Sequence, residues 1–221
     1  WHLGRGEDTS PAARGFEHSW GLIDGSSSHF DQVATASSDP DSMPLALYRD
    51  DGREMQLPET GFYSSEAYAS KLISWLEADR NDPRPFFAYL AFTAPHFPLQ
   101  APDEYIARYE GRYEAGYEAV RRARVERLRQ LGLLAPDSPH YPGHDAWPAW
   151  DKLSPEQQSA EARHMAVYAA MIECLDHHMG RVMDTLRAQG VLDDTIVFFM
   201  SDNGAEGISV LDTLRTREWV Q

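Results

Sequence analysis

Apolar residues recur along this chain with helical spacing in four places. From Ser64 onward, Tyr68, Leu72, Ile73, Trp75 and Leu76 follow one another at short helical steps, which places them on one face of a helix running to about Asp79. The Ser64-Ser65 pair offers hydroxyls of the kind that cap helix starts, with Glu66 in the first turn. A short helix is predicted from Pro102 to Gly111, with Asp103 and Glu104 at its positive end. The next runs from Gly116 to Leu131, with Tyr117, Val120, Val125, Leu128 and Leu131 apolar and Gly132 closing it. Its arginines, Arg121, Arg122, Arg124, Arg127 and Arg129, read as a solvated face because Glu118 stands one turn before Arg122. The longest helix opens at Ser154-Pro155-Glu156-Gln157, a capping box with proline in the first helical position. It carries Met165, Tyr168, Ile172, Leu175, Met179, Val182 and Leu186 as a core stripe to about Gln189, and Gly190 ends it.

Two runs have no polar face at all. Residues 86–92 and 196–200 are short, continuous and apolar, the pattern of strands buried on both sides. Helices alternating with such strands predict an α/β fold. Residues 1 to about 60 are rich in Gly, Ser, Pro and Asp with little periodicity, and read as long functional loops or as part of a fold completed elsewhere.

Composition narrows the function. The 221 residues hold 20 Lys+Arg against 35 Asp+Glu, a formal net charge of -15, which argues against nucleic acid as a partner because phosphate binding needs a cationic surplus. The apolar runs fall far short of the roughly 20 residues of a membrane-spanning helix. With 42% hydrophobic and 11% aromatic residues, the chain is rich enough to fill a core. Cys174 is the single cysteine, reads as a buried structural thiol, and leaves the compartment open.

Candidate chemistry concentrates in two segments. Thr93-Ala94-Pro95-His96-Phe97-Pro98 holds an imidazole between two stiffening prolines. Met200-Ser201-Asp202-Asn203-Gly204 follows an apolar run at what would be the carboxyl edge of a sheet, where loops gather ligands. Asp202 and Asn203 pair a carboxylate with an amide oxygen, hard donors suited to calcium or magnesium; the same residues also make an ordinary turn. The remaining histidines give a weaker zinc pattern. His177 and His178 point about 100° apart on a helix, and His140 and His144 lack a Cys or acidic partner at ligand spacing.

Three segments resemble one family. Trp1-His2-Leu3-Gly4 matches the end of the Gly-Lys-Trp-His-Leu-Gly signature of the sulfatases. Residues 85–102 resemble their Pro-Phe-Phe-x-Tyr-Leu-x-Phe-x-Ala-Pro-His segment, and residues 194–204 their Asn-Thr-x-apolar-Ser-Asp-Asn-Gly strand. The resemblance is closest to bacterial arylsulfatases and runs in order over about residues 1–207, with 208–221 unlike the family. It implies a partial alkaline phosphatase-like domain, a mixed sheet flanked by helices and incomplete at both ends. It also implies hydrolysis of a small-molecule sulfate ester by a formylglycine, made from Cys or Ser in a Cys/Ser-x-Pro/Ala-x-Arg context, with calcium in the site. By the same resemblance Asp202 and Asn203 are calcium ligands, and Asp202 helps to deprotonate the nucleophile. His96 contacts the sulfate and protonates the leaving oxygen, and His2 hydrogen-bonds the formylglycine hydrate.

Cys174, in Cys-Leu-Asp-His-His, lacks the modification context, and no serine is expected to sit in it either. The nucleophile and the remaining calcium ligands are therefore expected upstream, and the chain alone is expected to be inactive, weak in calcium binding and prone to aggregate. One alternative is a phosphodiesterase or phosphonate monoester hydrolase of the same superfamily, whose metal motif more often has Asp-His where this chain has Asp202-Asn203. Another is a noncatalytic remnant of the fold. The natural substrate, the oligomeric state and the choice among periplasm, exterior and cytoplasm are open at this level.

Overall fold

The computed structural model describes residues 1, 3–34, 45–139, 141, 143 and 148–204. The chain divides into two units, Trp1–Gln100 with Met171–Gln221, and Ala101–Ala170.

The first unit contains a small antiparallel sheet of β1 (Trp20–Leu22), β2 (Tyr48–Asp50) and β3 (Arg53–Met55), in that spatial order. Leu22 pairs with Tyr48, which pairs in turn with Met55. Asp51 and Gly52 join β2 to β3 with φ of 47° and 81°, the doubly positive turn whose twist matches a two-residue hairpin. This sheet lies where the sequence pattern predicts irregular chain. Strands of three residues are too short to display a period of two, and Asp51-Gly52 is the one local signal that marks them.

Aromatic rings cover the sheet. Trp20 meets Tyr68 edge-on at 5.4 Å and Tyr48 at 6.0 Å, and Tyr48 meets Phe62 at 6.2 Å. Leu22, Ala46, Tyr48 and Phe62 are the buried centre of this cluster. Such rings remove large apolar areas from water and gain further from edge-to-face geometry.

Helix α1 (Ser64–Ala78) carries Tyr68 into that cluster, and Lys71 reaches Asp50 of β2 at 3.1 Å. Its entry corrects the capping expectation. Tyr63 is the N-cap residue, no side chain caps the helix, and Ser64 and Ser65 are its first two helical residues, both buried. The Ser64 amide instead donates to the His29 carbonyl at 2.9 Å. On another face of α1, Ala69 and Leu76 pack with Val182 and Leu186, joined by Leu72, Ile73, Leu90 and Phe92.

Val182 and Leu186 belong to the long helix, which follows α2 (Asp103–Ile106) and α3 (Tyr117–Gln130) and is labelled α4 (Pro155–Ala188). The capping box is formed: Gln157 N–H donates to Ser154 Oγ at 3.3 Å, and Ser154 N–H donates to Gln157 Oε1 at 2.8 Å. At the other end Gly190 N–H donates to the Arg187 carbonyl and Val191 N–H to the Leu186 carbonyl, at 3.0 and 3.1 Å. These two bonds, with Gly190 at φ 73°, make a Schellman stop that needs a residue without Cβ. The core stripe is rotated from the predicted one. Leu175, Val182 and Leu186 are buried as expected, but Tyr168 and Ile172 are exposed, while Val167, Met171 and Cys174 are fully buried. Helical spacing admits two adjacent stripes, and the small residues Ala162, Ala166 and Ala170 mark the buried one.

The apolar runs 86–92 and 196–200 are not strands among the described residues. Leu90 and Phe92 pack on the helices, whereas Phe87 is 80% and Tyr89 65% exposed. Only residues 89–92 alternate between exposed and half-buried, as extended chain with one face packed does; residues 86–88 are exposed throughout. The second run is more open still, with Ile196 81% and Phe198 79% exposed. Neither run makes a backbone ladder with a neighbour among the described residues, and without a ladder on either side an apolar segment stays an uncovered ribbon.

In the second unit, Trp150 links α3 to the first half of α4: its ring meets Tyr117 edge-on at 5.3 Å, and its carbonyl accepts from Gln158 Nε2 at 2.8 Å. Helix α3 has no buried residue: its apolar set Tyr117, Val120, Val125 and Leu128 is only half-buried.

Candidate functional site

The loop that carries His96 is fixed from several directions. His96 N–H donates to the Thr93 carbonyl at 2.9 Å. At the loop's far end the Gln100 side-chain oxygen accepts from His29 N–H at 2.8 Å and from Ser28 Oγ at 3.3 Å. Tyr63 Oη donates to the Gln100 carbonyl at 3.2 Å. Within the loop, His96 Nδ1 lies 2.6 Å from the Phe97 carbonyl. A carbonyl can only accept, so Nδ1 carries the proton. The imidazole is therefore tied back by one nitrogen, and Nε2 is left on an exposed ring as acceptor when neutral and donor when charged.

Beneath the loop sits a histidine that the sequence pattern does not single out. His29 is 1% exposed, with Nδ1 2.7 Å from Ser64 Oγ and Nε2 3.0 Å from the His96 carbonyl oxygen. Burial is the main cause that pushes its pKa down to about 4, so the ring is neutral near pH 7. No local signal exposes it, because its partners are 35, 67 and 71 residues away.

Asp202 and Asn203 stand on an exposed turn. Asn203 N–H donates to Asp202 Oδ1 at 3.0 Å, and Asn203 Nδ2 donates to the Gly204 carbonyl at 2.7 Å. Among the described residues Asp202 Oδ2 and Asn203 Oδ1 have no hydrogen bond, leaving one carboxylate and one amide oxygen open. Those are hard donors of the kind calcium takes, but few of them. Among the described residues no group of three His, Cys, Asp or Glu stands at metal-holding distance.

His2 lies outside the described residues, as do His140 and His144. Its neighbour Trp1 is anchored, with the terminal amine donating to the Leu22 carbonyl and the indole to the Thr9 carbonyl, both at 2.9 Å. His178 Nδ1 accepts from the Arg181 guanidinium at 3.0 Å; burial first, then that cation, pushes its pKa down. A lone pair already engaged by a cation is a poor zinc donor.

Contrary to the expectation that no serine sits in the modification context, Ser10-Pro11-Ala12-Ala13-Arg14 fits the formylglycine spacing. Ser10 is 1% exposed, its hydroxyl donates to the Glu7 carbonyl at 2.8 Å and accepts from Ala13 N–H at 3.3 Å. That hydroxyl holds a turn together. Cys174 is fully buried. Two cavities, of about 340 and 380 Å³, are lined by other residues and include neither His96 nor Asp202 nor Asn203.

Comparison with known proteins agrees with the three motifs. The sulfatase family model matches residues 1–212. An arylsulfatase of Klebsiella aerogenes is 43% identical over 212 residues, covering 93% of this chain and 43% of that protein. An uncharacterized sulfatase of Schizosaccharomyces pombe is 43% identical over 218 residues, covering 97% of this chain and 39% of the relative. The chain thus spans about two fifths of the length of the curated relatives it matches. Among solved structures, Ps i-CgsB in complex with k-i-k-neocarrahexaose superposes with a TM-score of 0.51 at 19% identity, over 86% of this chain and 33% of that one, a likeness of fold. Helices on a small sheet, a tethered imidazole and an Asp-Asn-Gly turn, together with these matches, make the chain part of a sulfatase domain of the alkaline phosphatase-like fold, and it belongs to the sulfatase family.

Proposed function

We propose that this chain is part of an arylsulfatase-type sulfuric ester hydrolase and that His96 is its acid toward the leaving group. The presentation of that imidazole carries the reading: Nδ1–H is held by the Phe97 carbonyl and Nε2 is open. In the imidazolium form, Nε2–H donates to a sulfuryl oxygen. As the bond from sulfur to the ester oxygen breaks, the same proton passes to the leaving oxygen, and the ring becomes neutral while Nδ1–H stays in place.

Asp202 and Asn203 would hold one side of a calcium ion, which when bound supplies positive charge against the sulfuryl oxygens. Two residues fill only part of the roughly six to eight oxygen positions calcium takes, so the chain alone should bind calcium weakly. Ser10 is committed to its turn and Cys174 is buried. The formylglycine nucleophile is accordingly assigned to a segment outside these 221 residues, with His2 hydrogen-bonded to its hydrate.

The test is turnover of para-nitrophenyl sulfate by the intact protein that carries this chain, with the bis(nitrophenyl) phosphate diester as competitor. Preference for the sulfate is expected, and His96→Asn should lower kcat by roughly 10²- to 10⁴-fold. Preference for the diester would replace this reading with a phosphodiesterase. The 221 residues alone should give no turnover.

A further inference from the structure

We infer that His29 is the positioning residue for His96: an imidazole protonated on Nε2 that anchors the peptide plane between His96 and Phe97, the one just before the carbonyl to which the His96 ring is tied. The inference rests on the role given to His96 above, but its geometry stands by itself. The His96 carbonyl accepts only, so His29 Nε2, at 3.0 Å, must carry the proton. In a neutral ring Nδ1 is then an acceptor, and the Ser64 hydroxyl at 2.7 Å is its donor. Thr93 Oγ1 stands at the limit of the same contact, 3.5 Å away.

The bonds form one directed series. Ser64 O–H donates to His29 Nδ1, His29 Nε2–H to the His96 carbonyl, and His96 Nδ1–H to the Phe97 carbonyl. The His96 carbonyl and the amide that follows it share a plane, so anchoring the oxygen restrains the backbone on which the Phe97 carbonyl turns. His29 is itself pinned at both backbone atoms, its N–H on Gln100 Oε1 and its carbonyl on Ser64 N–H. Burial keeps the ring uncharged, which suits a group that must keep one fixed tautomer. Ser64, the first helical residue of α1, spends its hydroxyl on this series.

The readout is two-bond proton–nitrogen correlation of the histidine rings in the nitrogen-15 labelled 221-residue chain near pH 7.5, which needs no turnover. Wild type should show His29 as the Nε2–H tautomer and neutral His96 as Nδ1–H. His29→Phe keeps a planar ring but removes both polar atoms, and should abolish the Nδ1–H preference of His96. His29→Gln retains a donor and an acceptor, and should restore it. A His29 ring protonated on Nδ1 in wild type, or a His96 tautomer unchanged in His29→Phe, overturns the inference. If neither variant folds, the wild-type tautomer still decides. Failure of the sulfatase reading shows differently, as an intact protein that does not cleave aryl sulfate while the tautomers stand as described.

Discussion

His29 makes the stability of this chain depend on pH in a defined direction. Its pKa in the folded chain is about 4 against an ordinary value of 6.5, so the unfolded chain binds the proton first as pH falls. The contribution is fully present above about pH 6.5 and is lost as pH drops toward 4, by about 3 kcal/mol in all. Urea unfolding between pH 7.5 and 4 should show a falling midpoint, and His29→Gln should flatten the part of the slope that this ring causes. None of this is visible from Ser26-Ser27-Ser28-His29 as a string. By contrast, His96 and Asp202-Asn203 stand out as strings, because prolines flank the one and a glycine follows the other. Ser10 teaches the converse lesson. Its spacing fits a modification signal, and its two hydrogen bonds explain the residue without one; peptide mass analysis should find it as unmodified serine.

At the scale of elements, helices were readable because what starts and stops them is local. Ser154 and Gln157 exchange the bonds their spacing predicts, and Gly190 and Val191 close the last turn. Ser154→Ala should cost about 1 kcal/mol, and Gly190→Ala a similar amount, about 1 kcal/mol, because alanine resists positive φ; thermal melts of the two variants test both. Rotation of the α4 stripe was not readable, since Tyr168 and Ile172 satisfy the helical period as well as Met171 and Cys174 do. Strands fared worst. Among the described residues the three that form are three residues each, and the two runs that look most like strands pair with no neighbour there; strand formation turns on tertiary context, which no local pattern encodes.

Across the whole chain, the relation between length and coverage governs behaviour. Matched relatives are more than twice as long, and large apolar side chains at 86, 87, 89 and 196–200 face solvent. Exposed apolar ribbons with open edges attract one another, against the repulsion of a net charge of -15. Sedimentation of the 221-residue chain should show self-association that rises with salt, as screening weakens that repulsion. A Phe87→Asp, Phe198→Asp double variant should reduce it. Calorimetric titration with calcium should give only weak heats, because Asp202 and Asn203 supply few of the oxygens calcium takes. One more result follows from the uncovered ribbons. Apolar sequence and slow amide exchange ordinarily go together, because buried strands lock their N–H groups in ladders. Here they part company: the greasiest stretches should take up deuterium among the fastest, while the polar turn of Ser154 to Gln157 keeps its protons longer.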